Sequence, residues 1–216
     1  MAIAVAALLG FQLQQNFNAP YLAHNITVFW RRWHMSLSFW LRDYLYISLG
    51  GNRKGEWRRQ FNLMATMVFG GLWHGAAWTF VIWGFLHGLA LIAHKYWCQF
   101  YSPTRTRITS IASTIVTFWW VCFAWIFFRS QSFDDALLSA QAWVFFVDHG
   151  TNSLGWNWIY ICLILGGIHY AAQRIGSHQQ WRSMPLGLYA LLWGGALTLA
   201  HAAMPIEFQA FIYFQF

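Results

Sequence analysis

Residues 61–97 read FNLMATMVFGGLWHGAAWTFVIWGFLHGLALIAHKYW, a run of 37 positions with no charge before Lys95. One helix of that length would extend about 55 Å at about 1.5 Å per residue, well beyond a bilayer core of about 30 Å. The run therefore has to double back. The place for the reversal is Gly70-Gly71-Leu72-Trp73-His74-Gly75, where three glycines free the backbone around a histidine. Arg58 and Arg59 precede the run and Lys95 closes it, and basic residues mark cytoplasmic ends of spanning segments. Both ends of the hairpin are thus expected on one side, with His74 at its deep end.

Composition points the same way. Of the 216 residues 58% are hydrophobic and only 9% charged, whereas soluble domains carry about a quarter. Sixteen Trp, nine Tyr and twenty Phe find better places at a lipid interface than in a soluble core. The net charge of +7 would suggest nucleic acid in a soluble protein, but seven of the thirteen Lys and Arg lie between Arg31 and Arg59. That clustering fits cytoplasmic ends, so no nucleic-acid partner is expected. Cys98, Cys122 and Cys162 form no CxxC pair and read as free thiols.

Outward from the hairpin, residues 12–28 read as a loop broken at Asn18-Ala19-Pro20. Residues 29–47 have a helical period, with Trp30, Trp33, Leu37, Trp40, Leu41 and Tyr44 on one face and Arg31, Ser38 and Arg42 on another. So many charges fit an interfacial or protein-buried amphipathic helix rather than a span, with Arg42-Asp43 read as a buried ion pair. Gly50-Gly51-Asn52 should end it. Further spans are expected at 108–128, 154–172 and 185–204, and a short surface helix at 136–147 behind a Ser132 N-cap. Asp134, Asp135 and Asp148 place the loop at 130–153 outside, and the Arg-bearing loops at 98–107 and 173–184 inside. The fold class is all-α, a polytopic transmembrane helical bundle with amphipathic interfacial helices, forming a single membrane domain over 1–216. The apolar opening, residues 1–11, is too short to span and reads as the tail of a longer helix.

Histidine is the acid–base group available at membrane depth, because four Asp and two Glu never pair within the apolar runs. HExxH, CxxC, GxSxG, P-loop and dinucleotide fingerprints are missing, and no metal site is expected. From pattern alone His74 fits either a general base, kept neutral by a low dielectric, or a histidine hydrogen-bonded inside the bundle. His34 borders the apolar stripe and could orient a substrate or snorkel toward water. His87 and His94 share a helix face with a Gly84/Gly88 GxxxG patch and read as packing residues. His24, His149, His178 and His201 read as surface groups.

Several motifs in order carry a resemblance: Phe29-Trp30-Arg31-Arg32-Trp33-His34-Met35-Ser36, Trp40-Leu41-Arg42-Asp43-Tyr44-Leu45-Tyr46, Leu49-Gly50-Gly51-Asn52-Arg53, Gly70 to Gly75, and the ending at 211–216. Together they resemble the membrane-bound O-acyltransferase family, in its branch that O-acetylates alginate and related exported polysaccharides. The resemblance implies a catalytic His74 and a second functional position at His34. It also implies an acyl donor (acetyl-CoA or an acyl carrier) used as substrate rather than as a bound cofactor. The acceptor would be an exported polysaccharide, served by periplasmic acetyltransferase partner proteins, with membrane lipid around a protein of the bacterial inner membrane. The chain looks like the C-terminal half of such a protein. D-alanyl transfer to teichoic acid, as in a sister branch, stays open, as does a transporter or channel in which His34, His74 and the arginines line a path.

Overall fold

The computed structural model describes residues 2–101 and 106–147, and single helical positions between 160 and 198. The chain divides into two units, residues 1–161 and 162–216, and the elements below belong to the first. They are α1 (Ala2–Leu8), a 3-10 turn (Pro20–Leu22), α2 (Ile26–Arg32), α3 (Met35–Trp40), a π turn (Leu41–Tyr46), α4 (Gly55–Leu72), α5 (Trp78–Phe100), α6 (Arg107–Arg129) and α7 (Phe133–Phe145). The described residues contain helices and no strand.

Helices α4 and α5 are the hairpin expected from residues 61–97, with the reversal confined to residues 73–77. Gly70 and Gly71 are not in the turn. They lie in the last turns of α4, where a Cβ on Gly70 would press on Leu41 and one on Gly71 would have no room. A Cβ on Gly71 would come inside 3.0 Å of the Phe80 carbonyl oxygen, and one on Gly84 would do the same to the carbonyl oxygen of Met67. A Cβ on Gly88 would meet Met64 Sδ. The expected Gly84/Gly88 patch is therefore a close seam between α4 and α5, backbone against backbone at Gly71 and Gly84 and backbone against Met64 at Gly88. Gly75 (φ 154°) serves the turn itself.

The helix expected over 29–47 is not continuous. It breaks at Trp33-His34, where Trp33 is extended and His34 is left-handed (φ 42°, ψ 57°), and then resumes as α3. Periodicity cannot reveal such a break, because the residues on either side keep their spacing. Its cause is a strap formed by residues 16–18. Asn18 N–H donates to the Arg32 carbonyl at 2.9 Å and Met35 N–H to the Asn16 carbonyl at 2.9 Å, while Ser36 N–H donates to Asn16 Oδ1 at 2.8 Å. A helix start leaves N–H groups without intrahelical partners, and Asn16, twenty residues upstream, supplies acceptors for two of them. Beyond the break, Leu41 is buried under Gly70. Trp40 and Tyr44 instead stack on one another in the open, ring centroids 5.4 Å apart. Arg42 and Asp43 do pair, Nε to Oδ1 at 2.7 Å, but about half of each side chain is exposed, so the buried ion pair is corrected to a surface one.

The glycine turn after Tyr46 forms as expected, with Gly50 (φ 112°) and Gly51 (φ 53°) left-handed. Wholly buried Asn62 of α4 donates its Nδ2 to the Gly51 carbonyl at 3.1 Å and fastens that turn to the hairpin. The expected span at 108–128 is α6. Thr106 and Thr109 close a reciprocal capping box at its start. Ser113, Thr114 and Thr117 return their hydroxyls to carbonyls four residues back, so none is left unbonded in apolar surroundings. Its 23 residues reach about 34 Å, and it is the one helix among the described residues long and apolar enough to cross a membrane. Ile111 and Ile115, each 62% exposed, lie on its outer face, a surface suited to lipid. Helix α5 is as long, but Trp, His, Gly and Thr dilute its aliphatic character. Ser132 caps α7 as expected, accepting from Asp135 N–H, and Ala136 and Ala140 let α7 pack closely against Ala124 and Phe127 of α6 and Trp83 of α5. The expected spans at 154–172 and 185–204 lie largely outside the described residues.

Candidate functional site

The turn at 73–77 carries His74, and the break between α2 and α3 carries His34. The two lie forty residues apart in sequence, and the charge of His34 is felt weakly at His74. His74 sits among aromatic rings from three elements. Its centroid lies 5.1 Å from Trp73, 5.5 Å from Trp83 of α5 and 4.9 Å from Phe128 of α6, the last two nearly perpendicular. Edge-to-face pairs of this kind contribute about 0.5–1.5 kcal/mol each beyond burial, and they fix the plane of the imidazole. His34 is held by the strap, with Phe17 5.9 Å away and the Phe17 ring also set edge-on against Trp33 at 4.9 Å.

The Nδ1 atoms of both His34 and His74 are buried and have no hydrogen-bond partner among the described residues. Buried polar atoms are nearly always bonded, which makes the Nδ1 of His74 an exception within its ring cage. Burial holds the His74 imidazole below its ordinary pKa, and the charge of His34 adds to the effect. Burial likewise lowers His34. Each side chain is therefore neutral near pH 7 and able to accept a proton. A lowered histidine pKa extends the unprotonated form toward acid.

His87, read from sequence as a packing residue, is wholly buried. Its Nδ1 accepts from the Trp30 indole N–H at 3.3 Å, while its Nε2 and the neighbouring Trp83 Nε1 have no partner among the described residues. Rings connect His74 through Trp83 to His87 and on to Trp30. The sequence marked His87 as a packing residue, but nothing in it pairs His87 with Trp30, 57 residues away. Nor does any local signal bring Phe128 to His74. His94 is half-buried against Thr27, its Nδ1 3.1 Å from the hydroxyl. His24 stands half-buried before α2 rather than at the surface, and His149, His178 and His201 lie outside the described residues. Among the described residues no three His, Cys, Asp or Glu side chains converge as a metal ion would require.

The strap makes a prediction of its own. Asn16→Ala removes the Oδ1 acceptor of Ser36 N–H but keeps the backbone bond to Met35. Loss of a helix-capping side chain costs about 0.5–2 kcal/mol, so thermal unfolding in detergent should shift down modestly. An unchanged midpoint would show that the side chain does not hold the break.

The model of the membrane-bound O-acyltransferase family matches residues 1–133, the part that contains both histidines. A probable alginate O-acetylase of Azotobacter vinelandii is 46% identical over 142 residues, covering 63% of this chain and 27% of that protein. A peptidoglycan O-acetyltransferase of Helicobacter pylori is 44% identical over 137 residues, covering 63% and 26%. A teichoic acid D-alanyltransferase of Bacillus subtilis is 34% identical over 146 residues, covering 61% and 36%. The matches thus span about a quarter to a third of these relatives' lengths. The chain ending at 211–216 lies beyond the family match and outside the described residues.

Proposed function

Because the chain belongs to the membrane-bound O-acyltransferase family, we propose that it carries the histidine centre of a transferase that O-acetylates alginate or another exported polysaccharide. The observation that supports this most directly is His74 in the turn between α4 and α5, caged by Trp73, Trp83 and Phe128, with its Nδ1 buried and unpartnered among the described residues. In the proposed reaction His74 takes the proton of an acceptor hydroxyl while the hydroxyl oxygen attacks the acyl carbonyl of a thioester donor, acetyl-CoA or an acyl carrier. The carbonyl–sulfur bond breaks, an ester forms, and the proton leaves with the thiol. His34 assists by orienting the acceptor. The reading includes a polytopic bundle in the bacterial inner membrane, one membrane domain over 1–216, and periplasmic partner proteins that complete transfer to the polymer.

A second acyl reading, D-alanyl transfer to teichoic acid, draws support from the B. subtilis relative, but its 34% identity is well below the 44–46% of the O-acetylating relatives. Mass analysis of exported polymer from cells with and without the intact gene separates these. Loss of acetyl ester from a polysaccharide supports the proposal, loss of D-alanyl ester supports the second reading, and an unaltered polymer overturns both.

A further inference from the structure

One turn apart on α5, His94 and Cys98 meet, with Cys98 Sγ 3.5 Å from His94 Nε2. Thr27 of α2 places its hydroxyl 3.1 Å from His94 Nδ1. The imidazole thus stands between a thiol and a hydroxyl, one on each ring nitrogen. In a neutral ring one nitrogen donates and the other accepts. When Nδ1–H is given to Thr27 Oγ1, the Nε2 lone pair is left toward the thiol, which is the tautomer that a base for Cys98 needs. A nucleophile within hydrogen-bond reach of a base, itself oriented by a third group, is the arrangement that activates a weak nucleophile. Cys98 is exposed and free, while His94 and Thr27 are half-buried behind it, so the thiol is open to a reactant and its base is held. From Trp78 to His94, helix α5 rises about 24 Å at about 1.5 Å per residue. This group therefore lies far from His74 and takes no part in its ring cage.

We infer that Cys98, His94 and Thr27 form a second reactive centre, a base-assisted thiol that takes an acyl group from an acyl thioester. His94 Nε2 removes the Cys98 proton as Sγ attacks the acyl carbonyl carbon. The carbon–sulfur bond of the donor breaks, its thiol departs with that proton, and Cys98 keeps the acyl group as a new thioester. One thioester replaces another, so the exchange needs no oxidant. Thr27 acts only through His94 and is a positioning residue. The choice of electrophile rests on the acyl-transfer reading, whose donor is a thioester. The thiol, its base and the hydroxyl behind it rest on the two distances alone.

The test uses the intact protein in nanodiscs and the acetyl thioester of N-acetylcysteamine, a small donor without phosphate. Peptide mass mapping locates the acetyl group, and neutral hydroxylamine, which cleaves thioesters but spares amides, shows it to be on sulfur. Cys98 is expected to be acetylated at least about tenfold faster in the folded protein than after unfolding, since a thiol that is merely exposed gains nothing from folding. His94→Gln keeps a polar side chain beside Thr27 but no base, and should slow the reaction at least about tenfold. Thr27→Val should slow it several-fold and Thr27→Ser should restore it, a rescue that follows the hydroxyl although valine is closer to threonine in shape. The acyl-transfer reading is decided on exported polymer and this one on purified protein, so either can fail alone. Acetylation of Cys98 no faster than in the unfolded chain, a rate unchanged by His94→Gln, or equal rates in Thr27→Val and Thr27→Ser overturns the inference.

Discussion

Replacing His74 with Ala is expected to reduce acyl transfer by about 10² to 10⁴, the usual contribution of a positioned general base, with the protein still made and inserted. The turn at 73–77 is fixed by its backbone and by the helices on either side. Trp83 and Phe128 would lose a ring neighbour but keep contact with each other, 5.2 Å between centroids. The expected damage is therefore chemical rather than structural. Acetyl content of exported polymer, measured in cells carrying the variant in the full-length protein, decides the matter. Normal acetylation with His74→Ala would remove the imidazole from the reaction. His34→Ala should show a smaller loss, because His34 is proposed to orient the acceptor rather than to take its proton.

Gly71→Ala is expected to have the largest effect on folding. The added Cβ would fall inside 3.0 Å of the Phe80 carbonyl oxygen and close to Gly84 N. Neither neighbour is a flexible side chain, so only separation of α4 from α5 can relieve the overlap. Ordinary overpacking costs about 1–3 kcal/mol. Here backbone must move, and a loss of about 3 kcal/mol or more is expected, a large fraction of a typical stability of about 5–15 kcal/mol. Gly84→Ala meets Met67 in the same way. Unfolding in graded detergent denaturation provides the measurement, with Gly167→Ala as comparison for crowding, since a Cβ there meets nothing within 4 Å and the backbone is not left-handed. A Gly71→Ala protein as stable as the original would show that the seam is looser than described.

The hairpin was legible in the sequence because its length exceeds what one span can accommodate, an argument that needs no tertiary information. The start of α7 and the glycine turn at 50–51 were legible for a similar reason: caps and left-handed glycines are local. His74 was legible as a candidate from its depth and glycines, and as a proposed base only through the motif resemblance. What sequence missed is long-range. The break at His34 depends on acceptors from Asn16, the ring cage of His74 on Phe128 of α6, and the bond of His87 on Trp30. Each joins segments whose approach is set by packing rather than by spacing. The same limit explains Arg42-Asp43, because adjacency showed the pair but not the side of the helix that faces water.

The left-handed backbone at His34 also bears on how this protein can be improved. A side chain in that conformation costs about 1–2 kcal/mol that glycine would not. A library screened only for heat resistance should therefore return Gly, or Asn, at position 34. Under the proposed role of His34, such winners would be sturdier and poorer at acyl transfer. Any stabilisation campaign has to score turnover alongside melting, or it will select away the histidine that the strap exists to hold.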